Sequence, residues 1–131
     1  MSEQPDDAAM AELATRLFDM ARHGDTASLD AHVEAGVPVN LCNDSGDSLL
    51  MLAAYHGHAA TVAALLARGA DANRANDRGQ SPLAGAVFKG EDAVVHALLA
   101  AGADPRAGTP SAADTALMFD REDYSALFDR R

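Results

Sequence analysis

Apolar residues fall three and four positions apart inside short blocks of this chain, and the blocks return every 33 residues. Leu17, Leu50 and Leu83 share one column, Leu29, Val62 and Val95 a second, and Val33, Leu66 and Leu99 a third. Spacings of three and four place side chains on one face of an α-helix, and the period-two alternation of a half-buried strand is absent. Met20, Ala53 and Ala86 fall between these columns, giving the first helix of each block a small or flexible residue where helices pack closely. A period of this length predicts an all-α solenoid of stacked helix-turn-helix units, each burying its apolar face only against its neighbours.

Polar and glycine positions keep the same register. Gly24, Gly57 and Gly90 stand where a first helix must reverse into a second, and Gly36, Gly69 and Gly102 where the second helix stops. A left-handed backbone is expected at these stops. Ser81 followed by Pro82 reads as a helix N-cap with proline at the first helical position, and Ser48 is the matching cap one block earlier.

The last block departs from the pattern. Arg106 replaces the asparagine of Asn40 and Asn73, Pro105 precedes it, and Asp123 falls in the glycine column, so the array ends here in a truncated capping unit. Leu117, Phe119, Leu127 and Phe128 are expected to cover the last apolar face, with Asp120, Arg121, Glu122, Asp129, Arg130 and Arg131 toward water. At the other end Leu13, Leu17 and Met20 seal the first face. The expected layout is a disordered acidic lead over 1–9, an N-terminal capping repeat over 10–42, repeats over 43–75 and 76–108, and a C-terminal capping repeat over 109–131.

These residues resemble the ankyrin-repeat family. Ser81-Pro82-Leu83 is similar to the family's Thr-Pro-Leu-His opening, with Ala84 where the histidine stands, and Gly57-His58 is similar to the Gly-His between the paired helices. Gly69-Ala70-Asp71-Ala72-Asn73 and Gly102-Ala103-Asp104 resemble the segment that closes each unit. The match is strongest from Asn43 to Gly108 and extends over nearly the whole chain, in about four units including caps. The chain is also similar to small stand-alone bacterial ankyrin proteins. The resemblance implies a protein-binding solenoid without catalytic chemistry or cofactor, and a structural role for His58, bonding loop backbone.

Composition narrows the partners. The 131 residues suffice for one domain, and the net charge of −10 disfavours nucleic acid and anionic membranes, whose binding draws on Lys and Arg. A protein with a basic surface is the easier match, although acidity also serves simply to keep a chain soluble and monomeric. A third reading makes the acidic loops a mimic of a polyanion. No apolar run of about 18 residues appears, Met1 to Ala9 is acidic where a secretory signal is basic, and Cys42 has no cysteine partner. These features predict a cytoplasmic protein.

Catalytic constellations fail on spacing. His56 and His58 point apart on a helix, and Gly57 between them interrupts it, so a metal sensor or enzyme built on His23, His56 and His58 is the rival reading. Cys42 shares a loop column with Ala75 and Gly108 and reads as a tolerated loop residue rather than a nucleophile, whose activation needs a positioned base or a cationic environment. Gly79, Gly85 and Gly90 follow no strand and form no phosphate loop.

What remains is a surface. In a solenoid, equivalent columns stack into stripes, and the family resemblance places recognition on loop tips and the exposed side of the first helices. The tips are Asp44, Ser45 and Asp47, then Asp77, Arg78 and Gln80. The helix-end columns are Arg22, Tyr55, Phe88 and Arg121, then His23, His56, Lys89 and Glu122. Two of the chain's six aromatics, Tyr55 and Phe88, share one of these columns beside Arg22, Arg78 and Lys89. That is the composition of an interface hot spot, although rings so placed also shield a helix junction. A role as accessory factor to a neighbouring enzyme such as a catalase is a further reading, by resemblance to some small bacterial ankyrin proteins.

Overall fold

The computed structural model describes residues 6–129, in which eight helices follow one another without a strand. They are α1 (Asp6–His23), α2 (Thr26–Glu34), α3 (Leu49–Tyr55), α4 (Ala59–Ala67), α5 (Pro82–Lys89), α6 (Asp92–Ala100), α7 (Ala112–Met118) and α8 (Glu122–Asp129). α1, α3, α5 and α7 pack side by side in one row, and α2, α4 and α6 form a second row behind them.

Serine caps set where the first helices begin. The Ser48 hydroxyl accepts the Met51 N–H at 3.0 Å, and the Ser81 hydroxyl accepts the Ala84 N–H at 3.1 Å. Leu17, Leu50 and Leu83 of the first row and Leu29, Val62 and Val95 of the second are all buried in one core. Within the third column, Leu99 is buried whereas Val33 and Leu66 are half-buried.

All six column glycines have positive φ. Gly69, at φ +93, has open space where a Cβ would stand, so only the backbone demands glycine there. Gly24, at φ +74, is doubly constrained: a Cβ would lie 2.6 Å from the His58 ring of the next unit.

Polar ladders join the units across their loops. The Asp71 N–H donates to Asn40 Oδ1 at 2.8 Å, and the Asp104 N–H to Asn73 Oδ1 at 2.7 Å. At the tips, Asn76 Nδ2 donates to Asp47 Oδ1 at 2.9 Å and the Asp77 N–H to the Ser45 carbonyl at 3.0 Å. These loop amides thus find acceptors in the neighbouring unit without a sheet.

The last unit corrects the register. Ser48 and Ser81 stand 33 positions apart, but Ser81 and the next cap, Ser111, only 30, so the loop before α7 is three residues shorter. Asp120, at φ 55, therefore takes the place of Gly90, and the Arg121 N–H bonds Ala116 O at 2.8 Å as the Glu91 N–H bonds Ala86 O at 2.9 Å. Asp123 lies in the first turn of α8, outside the glycine column.

The expected cap changes accordingly. Leu117 falls in the column of buried Ala21, Ala54 and Val87, yet among the described residues nothing covers it, and it is 69% exposed. Phe119 is 51% exposed. The cover comes from buried Tyr124 and Phe128 with half-buried Leu127. At the other end α1 begins at Asp6, so residues 6–9 of the expected disordered lead are helical, as alanines 8, 9 and 11 favour. Residues 1–5 of that lead, and Arg130 and Arg131, lie outside the described residues.

Candidate functional site

The loops stand forward of the first-helix row and leave three hollows between tips and helices. The first, about 500 Å³, lies between α1 and the 42–45 loop, touching Phe18, Arg22, Cys42, Asp44 and Ser45. The second, about 310 Å³, is lined by Arg22, Asp47, Tyr55, His56, Arg78 and Gln80. The third, about 360 Å³, is bounded by Tyr55, Arg78, Phe88, Pro110, Met118 and Phe119. Arg22 belongs to the first two, and Tyr55 and Arg78 to the last two, so the hollows run together as one groove.

Nine of the thirteen predicted positions line this groove, and His23, Asp77 and Lys89 stand next to residues that do. Asn43 Oδ1 accepts the N–H groups of Ser45 at 2.9 Å and Asp47 at 3.0 Å, and Asn76 Oδ1 those of Arg78 and Gln80, both at 3.0 Å. These Asx turns present Asp44 and Asp77 to solvent at the rim. Arg22 Nη1 pairs with Asp19 Oδ1 at 2.8 Å, and His23 Nδ1 lies 2.8 Å from the Asp19 carbonyl. Tyr55 is half-buried: His56 meets its ring edge-on at 5.5 Å, and Lys89 Nζ stands 4.8 Å above it. Phe88 is 50% exposed and meets Phe119 edge-to-face at 5.5 Å.

Arg121 is the thirteenth, and the shortened loop moves it away. It falls in the column of Asp25, His58 and Glu91, which precede the second helices, and holds Asp123 at 2.9 Å and Asp92 at 3.6 Å while stacking 4.1 Å over Tyr124. Glu122 moves with it, into the first turn of α8. Met118 and Phe119 occupy the helix-end columns instead, and the groove gains an apolar end. The sequence held a signal for this: Ser111-Ala112-Ala113-Asp114 is a capping-box pattern, and the Asp114 carboxylate accepts the Ser111 N–H at 3.5 Å while Ser111 Oγ accepts the Asp114 N–H at 3.1 Å.

The histidines do not converge. His58 Nε2 lies 2.7 Å from the Arg22 carbonyl, tying one unit to the one before, and among the described residues no three His, Cys, Asp or Glu side chains are grouped to hold a metal. Partial burial, then the charges of Lys89, His58, Arg22 and His23, hold the His56 pKa below the usual histidine value. Its ring therefore favours the neutral form. The half-buried Cys42 thiol donates to the Asn40 carbonyl at 3.4 Å.

A family model described as ankyrin repeats, in three copies, matches residues 17–109. An ankyrin repeat protein of Pseudomonas aeruginosa is 51% identical over 44 residues, which are 34% of this chain and 26% of the relative. The crystal structure of the human ASB11 ankyrin repeat domain superposes with a TM-score of 0.65 at 36% identity, over 68% of this chain and 40% of that one. The chain thus spans about a quarter of the first relative's length and two fifths of the second's.

Proposed function

Because this chain belongs to the ankyrin-repeat family, whose members are generally non-enzymatic protein-interaction modules, we propose that it binds a partner protein along the groove between its loop tips and first helices. The observation that carries this reading is the continuity of the three hollows, with the Tyr55 ring where the second and third meet and the exposed Phe88 ring within the third. Exposed rings next to cations are the side chains that supply most of an interface's affinity. Asp44, Asp47 and Asp77 along the rim favour a partner presenting basic residues to the tips, and their charge chiefly sets the rate of encounter. The reading carries with it a cytoplasmic, monomeric, non-catalytic protein, in keeping with its acidic surface and lone cysteine.

The test begins with an affinity pull-down from the native organism and continues with the partner it yields. Tyr55→Ala combined with Phe88→Ala should weaken binding by at least about 2 kcal/mol with the helical spectrum retained. Arg68→Ala, on the second-helix side where Arg68 holds Asp30 through two bonds of 3.0 Å, should leave affinity unchanged. Equal binding by the aromatic double variant and its parent, both folded, would remove the groove from the interface.

A further inference from the structure

The groove's apolar end differs in sign from the rest of the molecule. The chain carries 20 Asp and Glu against 10 Lys and Arg, yet no carboxylate lines the third hollow, and its one charged wall residue is Arg78. Beside it, Lys89 sits over the Tyr55 ring. Arg22, Arg68, Arg106 and Arg121 each hold a carboxylate, whereas among the described residues Arg78 and Lys89, like Arg16 and Arg74 elsewhere on the surface, make no ion pair. Arg78 and Lys89 are both exposed. Two uncompensated cations thus flank an open apolar hollow.

The floor of that hollow is built to be covered. Met118 is 65% exposed, and with Phe88 and Phe119, each about half exposed, it forms one apolar patch at the level of the shortened loop. A volume of about 360 Å³ lies at the low end for ligand pockets, enough for one large apolar side chain and its adjoining backbone. A carboxylate beside that side chain would reach cations that have no competing partner, and exclusion of water by the rings would strengthen the pairing.

Resting on the reading that the groove binds protein, we propose that its third hollow takes a short partner segment carrying a large apolar side chain next to an Asp or Glu. The local preference is opposite to that of the acidic rim. A segment whose basic residues meet the tips and whose acidic-apolar pair enters the hollow satisfies both surfaces.

The full chain, immobilised, is panned against phage-displayed random peptides about a dozen residues long, and enriched peptides are measured by fluorescence anisotropy. Enriched sequences should place Asp or Glu within two positions of Phe, Trp, Leu or Met. Arg78→Ala with Lys89→Ala should weaken them at least about tenfold with the helical spectrum intact, and high salt should erode most of that difference. Replacing the peptide's apolar residue by alanine should cost a similar factor. Enriched peptides that lack acid, yet lose binding in the Tyr55→Ala, Phe88→Ala variant, would overturn this proposal and leave the groove reading standing. Peptides indifferent to both sets of substitutions would overturn both, and failure to enrich any peptide would overturn the peptide proposal alone.

Discussion

Replacing Gly24 by alanine should destabilise the protein more than replacing Gly69, although both glycines have positive φ. At Gly69 nothing lies within 4 Å of the added Cβ, so the cost is that of holding an L-residue left-handed, about 1–2 kcal/mol. At Gly24 the same backbone cost applies, but the Cβ also meets His58 Nδ1 at 2.6 Å and Cγ at 2.7 Å. The ring must move, and moving it gives up the 2.7 Å contact between His58 Nε2 and the Arg22 carbonyl. A hydrogen bond of that kind contributes about 0.5–1.5 kcal/mol, so Gly24→Ala should total about 1.5–3.5 kcal/mol. Losing glycine also restricts the unfolded chain, by an amount that cancels between the two variants. The decisive comparison is a double-mutant cycle by urea denaturation. In a His58→Ala background the ring and its bond are already gone, so Gly24→Ala should fall back to the Gly69→Ala value. Equal costs for the two glycine variants, with Gly24→Ala and His58→Ala strictly additive, would refute the idea that the histidine locks one unit to the next through the glycine.

Two further outcomes follow from the last unit. Burial, and then the hydrogen bond to Asp92, push the Tyr124 phenol up to about 12, above the value near 10 of an unfolded tyrosine, so its neutral form is favoured by folding. That stability is fully present below about pH 10 and is lost as the pH rises toward 12; a thermal-melt series across this window should show a fall that Tyr124→Phe flattens. Phe128→Ala should cost about 3–5 kcal/mol by denaturant titration, whereas Leu117→Gln should stay within about 0.5 kcal/mol of the parent, because only the phenylalanine is buried.

The sequence made the repeating part of the fold legible because its signals are local. Ser48 and Ser81 cap the helices that follow them, the glycine columns mark left-handed stops, and the leucine columns point inward, all within one period. The last unit was not legible from the period, since a fixed interval carries every later residue three positions too far. That displacement put Arg121 in the groove and Leu117 and Phe119 in the core, and it hid Tyr124, which falls in the column of buried Val94 and Thr61 only when counted from Ser111. The charge of the groove was hidden for a different reason. A net value of −10 averages over the surface, whereas the pairing of Arg22 with Asp19 and the isolation of Arg78 and Lys89 depend on which side chains meet.

The shortened loop also decides where the molecule could be lengthened. A copied unit of 33 residues inserted between Ala75 and Asn76 would offer an Asn73-like side chain to the next Asp104-like amide and repeat the tip-to-tip bond of Asp77 to Ser45, so each junction would be one the molecule already makes. The joint after Gly108 is of another kind and is made once, where the Thr109 N–H reaches back to the Gly79 carbonyl at 2.8 Å, and a duplicated 76–108 would carry that joint unchanged to its own end. Growth by duplication therefore adds full-length units ahead of the shortened loop, so that a longer version of this molecule would keep its apolar pocket at the same end while the acidic rim alone grew.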